Sequence, residues 1–177
     1  MKRHYGPSTM RRIGDLQHGM RVQTAILDNT AVLVQVQTEL FNVYGRILVI
    51  ELYCEAITIF DAANTTLNFS FESLTPAIGV QPMSGQSAAL NALAQGNRVV
   101  YIGGAVAGAP VITGGEGISD VLCVDPQIIG TTMSAAGVQG VGTIGQDTAA
   151  ANQTSGTCQF VIYYAPMSVG AYVTAIL

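Results

Sequence analysis

The sequence predicts an all-β protein, a jelly roll or a similar β-sandwich with an extended N-terminal arm and one short helix. Apolar residues recur mainly at every second position, which is the period of a β-strand. Turn-forming residues separate these short runs, and a single stretch has helical periodicity. The chain of 177 residues is long enough for one domain with a sizeable core. We therefore expect a basic arm over residues 1–21 and a single β-sandwich domain over residues 22–177.

The first two predicted strands, Val22–Leu27 and Ala31–Val36, flank Asp28-Asn29, a dipeptide that favours a tight turn. The pattern therefore predicts an early hairpin. The clearest alternation follows over Arg46–Phe60. Its even-numbered residues are apolar without a break, and we predict that these face the core: Leu48, Ile50, Leu52, Cys54 and Ala56.

A second strong alternation runs over Thr65–Ser73, after a predicted turn at Asp61–Asn64. Leu67, Phe69 and Phe71 share one side of this run, and we predict that they face inward. Because the turn between the two alternating runs is short, we expect them to form a hairpin.

Four later runs are also predicted to be strands: Arg98–Ile102, Val121–Asp125, Cys158–Tyr164 and Tyr172–Ile176. The predicted helix is Ser87–Gln95, which Gly96 would end. Two segments rich in glycine and small residues, Gly103–Gly117 and Gly130–Gly145, predict loops or irregular strands.

The composition disfavours an enzyme. Hydrophobic residues make up 49% of the chain and charged residues only 10%. The only histidines are His4 and His18, and the only lysine is Lys2, so acid–base chemistry after residue 21 would fall to carboxylates or thiols alone. We predict no catalytic residue, no metal ligand and no cofactor. A mean hydropathy of +0.41 with so few charges indicates a surface that is partly covered by other subunits.

Charge is divided unevenly along the chain. Residues 1–21 have a net charge of +4, and the rest of the chain has a net charge of −8. We predict that the arm binds an acidic surface on a partner subunit, through Lys2, Arg3, Arg11, Arg12 and Arg21. Direct nucleic-acid binding is disfavoured because basic and aromatic residues do not alternate and no recognition helix is predicted.

Three motifs have residue types found in nucleotide-binding, catalytic or calcium sites, but their spacing or the sequence around them does not fit such a site. Gly140–Gly145 matches GxGxxG, yet no helical pattern follows it, as a nucleotide site would require. Glu51 and Glu55 share a strand face but would lie about 13 Å apart, beyond the usual separation of glycosidase carboxylates. Acid-only calcium binding would involve Glu116, Asp120 and Asp125, whose spacing fits no common calcium loop.

Cysteine and tyrosine positions also favour structural roles. Cys54, Cys123 and Cys158 lie far apart in apolar runs without a CxxC motif, so we predict free, buried thiols. Tyr163 and Tyr164 could suggest a sugar-stacking platform, but alternation sends the two rings to opposite sides of a strand. We expect one of them in the core.

Three segments resemble small β-rich virion proteins of tailed bacteriophages. Tyr44–Tyr53 is similar to a strand of the pattern v-x-G-R-V-L-V-x-x-L-Y in those proteins. Phe160–Tyr164 followed by Pro166–Val173 resembles their final strand and its P-L-S-x-G-A-x-V continuation, and Ala63–Leu67 matches an A-N turn with a T-T-L strand. The resemblance implies a capsid decoration (cement) protein or a related virion subunit, and it implies no catalytic residue.

The expected function is therefore that of a non-enzymatic bacteriophage virion protein, a cement protein that clamps neighbouring capsid subunits. Its expected partners are the major capsid protein or other virion subunits, together with copies of itself in a trimer or dimer. The alternatives are a tail or head-fibre attachment protein and a carbohydrate-binding β-sandwich receptor module. No run of roughly 20 apolar residues suggests a membrane span, and we expect assembly in the host cytoplasm into the virion.

Overall fold

The computed structural model describes residues 19–101, 109–113, 127–130 and 140–177, which form two antiparallel β-sheets. The strands are β1 (Met20–Gln23), β2 (Leu27–Asp28), β3 (Thr38–Tyr44), β4 (Ile47–Ala56), β5 (Thr66–Thr75), β6 (Ala77–Pro82), β7 (Arg98–Tyr101), β8 (Val111–Thr113), β9 (Ile128–Ile129), β10 (Val141–Ala149), β11 (Thr157–Pro166) and β12 (Tyr172–Ala175). A four-residue helix, α1 (Asn29–Val32), follows β2. The predicted all-β sandwich is confirmed.

The first sheet has seven strands and the second has five. The main path of the first sheet is β1-β11-β4-β7-β8, with β2 beside β11 and β9 beside β4. The order of the second sheet is β12-β3-β10-β5-β6. Among the described strands, β6 and β12 each have one neighbour, so they form the edges of the second sheet there.

The core lies between the two sheets and is built from alternate residues of their long strands. Phe69 of β5 makes edge-to-face contacts with Tyr101 of β7 and Phe160 of β11, at ring-centroid distances of 6.2 Å and 6.4 Å. Leu67 and Phe69 are fully buried, and Phe71 packs partly buried against the same core. The predicted inward face of Thr65–Ser73 is therefore confirmed.

The predicted inward face of β4 is only half right, because the strand contains a β-bulge. Tyr163 of β11 pairs with Glu51, but the next residue, Tyr164, pairs with Val49, so Ile50 is an extra residue without a partner. An extra residue reverses the alternation of a strand. After the bulge, Leu52 and the even-numbered residues that follow it are buried in the core, as predicted. Before the bulge the odd-numbered residues, Ile47 and Val49, are buried instead. Leu48 and Ile50, predicted to be core residues, are only half-buried.

Two predicted hairpins are wrong. The strand β4 belongs to the first sheet and β5 to the second, so the Asp61–Asn64 segment crosses between sheets instead of closing a hairpin. Around Asp28-Asn29 the chain begins α1, and the Asp28 carboxylate accepts a hydrogen bond from the Thr30 amide at 2.9 Å. An aspartate in this position is a favoured helix N-cap, which explains why a turn dipeptide starts a helical turn here.

The predicted helix Ser87–Gln95 is also wrong. Its backbone bonds mainly to neighbouring segments: the Ser87 amide donates to the Leu67 carbonyl at 2.8 Å, and the Leu90 amide donates to the Thr65 carbonyl at 2.8 Å. Within the segment, the Leu93 amide donates to the Leu90 carbonyl at 3.1 Å, which closes a turn and not a helix. The Leu93 carbonyl accepts from the Phe60 amide at 3.0 Å. Leu90 and Leu93 are buried, so the apolar spacing reflects an irregular segment that covers one margin of the core.

The later strand predictions agree with the structure where it describes them. Arg98–Ile102 corresponds to β7, Cys158–Tyr164 to β11, and Tyr172–Ile176 to β12. The predicted strand Val121–Asp125 lies outside the described residues, as does most of Gly103–Gly117. Gly130–Gly145 was predicted to be a loop or an irregular strand, and its final residues begin β10, the central strand of the second sheet, whose pairing shifts register with both neighbours.

The bulge yields a paired stability prediction on one strand. Leu52→Ala removes a fully buried side chain and should lower the free energy of unfolding by about 2–5 kcal/mol. Ile50→Ala removes a half-buried side chain and should cost about 1–2 kcal/mol. Urea unfolding of both variants measures the difference. An Ile50→Ala loss equal to or larger than the Leu52→Ala loss would show that the alternation is not reversed at the bulge.

Candidate interaction surfaces

The arm residues predicted to bind a partner are only partly within the described structure. Lys2, Arg3, Arg11 and Arg12 lie outside the described residues. Arg21 lies on β1, an edge strand of the first sheet, where it is exposed and sits opposite Tyr163 of β11. The structure therefore places one predicted arm residue on the sandwich itself.

The outer face of the first sheet carries a small apolar cluster. Tyr53, Val100 and Val161 are buried together on this face, and Tyr163 packs partly buried against them. The Arg98 guanidinium lies 4.6 Å from the centre of the Tyr53 ring. Burial, opposed by the Arg98 charge, raises the pKa of the Tyr53 hydroxyl above its ordinary value. The face is thus apolar at its centre and polar at its margin.

The predicted motifs on this sheet have structural surroundings. Tyr164 is buried and its hydroxyl accepts a hydrogen bond from the Val173 amide at 3.1 Å, whereas Tyr163 points to the opposite face, as predicted. Glu55 forms an ion pair with Arg98 at 3.3 Å. Both partners are partly exposed, so this pair contributes at most about 1 kcal/mol to stability.

The GxGxxG segment lies at the start of β10, and the strand continues to Ala149 with no helix following, as the sequence indicates. A Cβ on Gly142 would lie 2.5 Å from the Phe71 ring and 2.6 Å from the Glu72 carbonyl oxygen. A Cβ on Gly145 would lie 3.0 Å from the Thr38 carbonyl oxygen. These glycines therefore allow β10 to pack closely against its neighbours.

A polar network closes one end of the sandwich. The buried Gln153 side chain accepts a hydrogen bond from the Asp61 backbone amide at 3.1 Å and donates one to the Thr65 hydroxyl at 3.0 Å. The backbone amide of Gln153 donates to the Leu33 carbonyl at 2.9 Å. Asp61 accepts from the Thr154 hydroxyl and from the Ala63, Thr154 and Ser155 amides, and these hydrogen bonds lower the pKa of its carboxyl. Because its donors are backbone and hydroxyl groups of the loops, this carboxylate is used for structure.

Among the described residues, no group of three or more His, Cys, Asp or Glu side chains is placed to hold a metal ion. The acidic residues considered for calcium, Glu116, Asp120 and Asp125, lie outside the described part of the chain. Within that part, no helix has the length and apolar character needed to cross a membrane.

The opposite end of the sandwich presents a braced apolar turn, which sequence reasoning missed. Met167 and Val169 follow β11, and the Val169 side chain is 92% exposed. The Arg46 amide donates to the Ser168 hydroxyl at 3.0 Å, the Met167 amide to the Arg46 carbonyl at 2.8 Å, and the Ala171 amide to the Ser168 carbonyl at 3.1 Å. Gly170 has a positive φ of 73°, as the third residue of a type II turn requires. The backbone therefore holds Val169 outward in a fixed position.

A second apolar surface lies on the hairpin of β5 and β6. Every residue of β6 is exposed, and Ile78 and Val80 are exposed by 50% and 43%. Leu74 of β5 is 45% exposed, but it pairs with Ala77 and so lies on the opposite face of the hairpin from Ile78, which pairs with Ser73. The sequence signal was present, since this strand contains no charge, but its run was too short and too interrupted by Gly79 to be predicted as a strand.

An aromatic pair occupies the outer face of the second sheet at its other edge. Tyr44 of β3 and Tyr172 of β12 lie directly opposite each other, and their rings stack at 4.4 Å with an interplanar angle of 15°. Tyr172 remains partly exposed. Thr174 and Asn42, the next pair along the same two strands, continue this face with polar side chains.

No known protein family, curated protein or solved structure matches this chain.

Two of the three cysteines are free and buried, as predicted, and Cys123 lies outside the described residues. Cys54 of β4 and Cys158 of β11 occupy adjacent strands in the core. A hydrogen bond with the Cys158 thiol, together with burial, raises the pKa of the Cys54 thiol well above its ordinary value of 9.0. The raised pKa keeps the Cys54 thiol protonated, and both cysteines are buried away from solvent, where they act as small apolar side chains.

This environment predicts a loss of stability at alkaline pH. The native state keeps the Cys54 proton at pH values where an unfolded chain releases it, so the stabilising effect is complete below pH 9.0 and declines above it. The slope due to this thiol should approach about 1.4 kcal/mol per pH unit. Urea unfolding between pH 8 and pH 10 measures it. The double variant Cys54→Ala/Cys158→Ala should have a shallower slope, whatever its absolute stability. An unchanged slope would mean that the Cys54 thiol does not titrate on unfolding in this range.

Proposed function

We propose that the protein is a non-enzymatic structural subunit of a bacteriophage virion, a decoration or cement protein that clamps neighbouring capsid subunits. The observation that carries this proposal is the braced turn at Val169. An apolar side chain held outward by three hydrogen bonds loses little conformational freedom when it enters a partner's pocket. In protein–protein interfaces a few side chains seated in desolvated pockets supply most of the binding energy, so an outward side chain at a fixed turn is a suitable place for a contact.

The composition supports the same proposal. A chain with 10% charged residues and a mean hydropathy of +0.41 is better suited to a partly covered surface than to a solitary one. The resemblance of Tyr44–Tyr53 and Pro166–Val173 to phage virion proteins is consistent with this, and Val169 lies within the second of these segments. The partner is the major capsid protein or another virion subunit. The arm, residues 1–21, adds basic contacts to an acidic surface of that partner, where each exposed ion pair contributes about 1 kcal/mol or less.

Particle stability tests the proposal directly. Particles that lack the protein should rupture at a lower temperature, and under milder osmotic shock, than complete particles, because binding to the assembled state alone stabilises that state. Adding back the full chain should restore resistance. A Val169→Asp variant should bind at least tenfold less tightly, because a carboxylate in an apolar pocket is desolvated without a partner.

Ile59→Asp is the matched control, since Ile59 is 60% exposed but lies in the loop after β4. It should bind and protect as the wild type does. A chain without residues 1–18, which leaves β1 intact, isolates the contribution of the arm and should bind more weakly at low salt than the full chain. Particles that resist heat and shock equally well without the protein would exclude a cement role and favour a tail or head-fibre attachment role.

One observation favours a second candidate function, carbohydrate binding by a receptor module. The stacked Tyr44 and Tyr172 rings, with one partly exposed and polar residues beside them, could support a sugar ring. Titration with oligosaccharides, followed by the NMR signals of the tyrosine rings, distinguishes this function. Shifts confined to this pair and lost in Tyr172→Ala would favour the receptor module over the cement role.

A further inference from the structure

The edge strand β6 is unprotected. Natural sheets usually block their edges with charged side chains, proline, short strands or covering segments, because an open edge pairs with other strands. The six residues of β6 contain no charge, and the only proline is Pro82 at the very end. All six are exposed, and no described part of the chain covers them.

The other edges in the described structure differ from β6. The edge strands β1 and β12 have four residues each and β8 has three. Strand β1 also carries the exposed charge of Arg21. Beyond β12, the Ile176 amide continues the bonding pattern by donating to the Leu40 carbonyl at 2.9 Å, so the terminal segment is held against β3. The strand β6 is thus the longest uncharged edge among the described residues.

We propose that β6 pairs in antiparallel orientation with β6 of a second copy of this chain, across a two-fold axis. The two five-stranded sheets then form one continuous sheet through the dimer. The pairing covers part of the Ile78 and Val80 side chains of each copy, about half of whose surface is otherwise exposed. A two-fold arrangement is closed, because each copy has one free β6 edge and the pairing of two copies occupies both of these edges.

Charge favours a second copy at this edge. Residues 22–177 have a net charge of −8, so the sandwich bodies of two copies repel each other on average. The strand β6 has no charged side chain, and its hairpin partner β5 has only Glu72. Two copies can therefore meet here with little like-charge repulsion.

The size of the contact sets the expected strength. A strand of six residues spans about 20 Å, and Pro82 has no amide to donate, so the pairing uses only a few hydrogen bonds. Such a contact is at or below the small end of specific interfaces, which bury roughly 1,200–2,000 Å² in total. The free dimer is therefore reversible and depends on concentration. In a particle, neighbouring copies would pair at high effective concentration.

Analytical ultracentrifugation of the purified full chain tests the proposal over a wide concentration range. The wild type should shift reversibly from monomer to dimer and no further. The double variant Ile78→Lys/Val80→Lys should raise the dissociation constant at least tenfold, because charges on the edge oppose each other across the axis. Gly79→Lys should have the same effect, and a Cβ at Gly79 meets no atom within 4 Å, so this variant should fold normally.

The matched control is Val36→Lys/Ile59→Lys, which makes the same charge change at two exposed apolar residues outside the second sheet. It should dimerise as the wild type does. A wild type that is monomeric at every concentration, a trimer, or a dimer that the β6 variants leave unchanged would overturn the proposal. The inference deepens the proposed structural role, but it is measured on the protein alone. Failure of the particle test would leave the dimer standing, and failure of the dimer test would leave the cement role standing.

Discussion

The contact of Phe69 with Tyr101 and Phe160 is the interaction on which the two-sheet arrangement depends. Phe69 comes from the second sheet and both of its aromatic neighbours come from the first, so one side chain joins the layers through two edge-to-face contacts. Aromatic pairs in this orientation add about 0.5–1.5 kcal/mol each beyond the burial of their apolar area. The long strands β4, β5, β10 and β11 surround this centre, and their inward residues complete the core.

The ends of the sandwich are organised by different means. At one end Gln153 and Asp61 bind three loop segments through hydrogen bonds, which satisfies backbone groups that the sheets leave unpaired. At the other end Ser168 ties the turn after β11 to Arg46. Both ends expose apolar side chains, among them Ile59 at the first end and Val169 at the second. The partner contact of the proposed virion subunit is placed at Val169 because its turn is fixed by hydrogen bonds on both sides.

The two proposed contacts use different parts of the fold. The Val169 turn follows a strand of the first sheet, while β6 is an edge of the second. A subunit with a self-pairing edge on one sheet and an anchor on the other could join its own copies and a separate capsid surface at the same time. Neither contact requires the sandwich to change shape, because the turn and the hairpin are both already formed in the single chain.

The sequence by itself determined the all-β class, most strand positions, the inward side of Thr65–Ser73 and the burial of Cys54 and Cys158. These features follow from local alternation, because an apolar residue at every second position has one stable way to be buried. The tertiary structure alone decided the reversal of β4 at Ile50, the assignment of β4 and β5 to different sheets, and the irregular path of Ser87–Gln95. In each case the deciding hydrogen-bond partner lies far away in the sequence. The bulge in β4 is set by Tyr163, and β4 and β5 are drawn into different sheets by β11 and β10. The irregular segment bonds to Thr65 and Leu67. Exposure of β6 and Val169 was hidden for the same reason, since an apolar residue in a sequence does not reveal whether another strand will cover it.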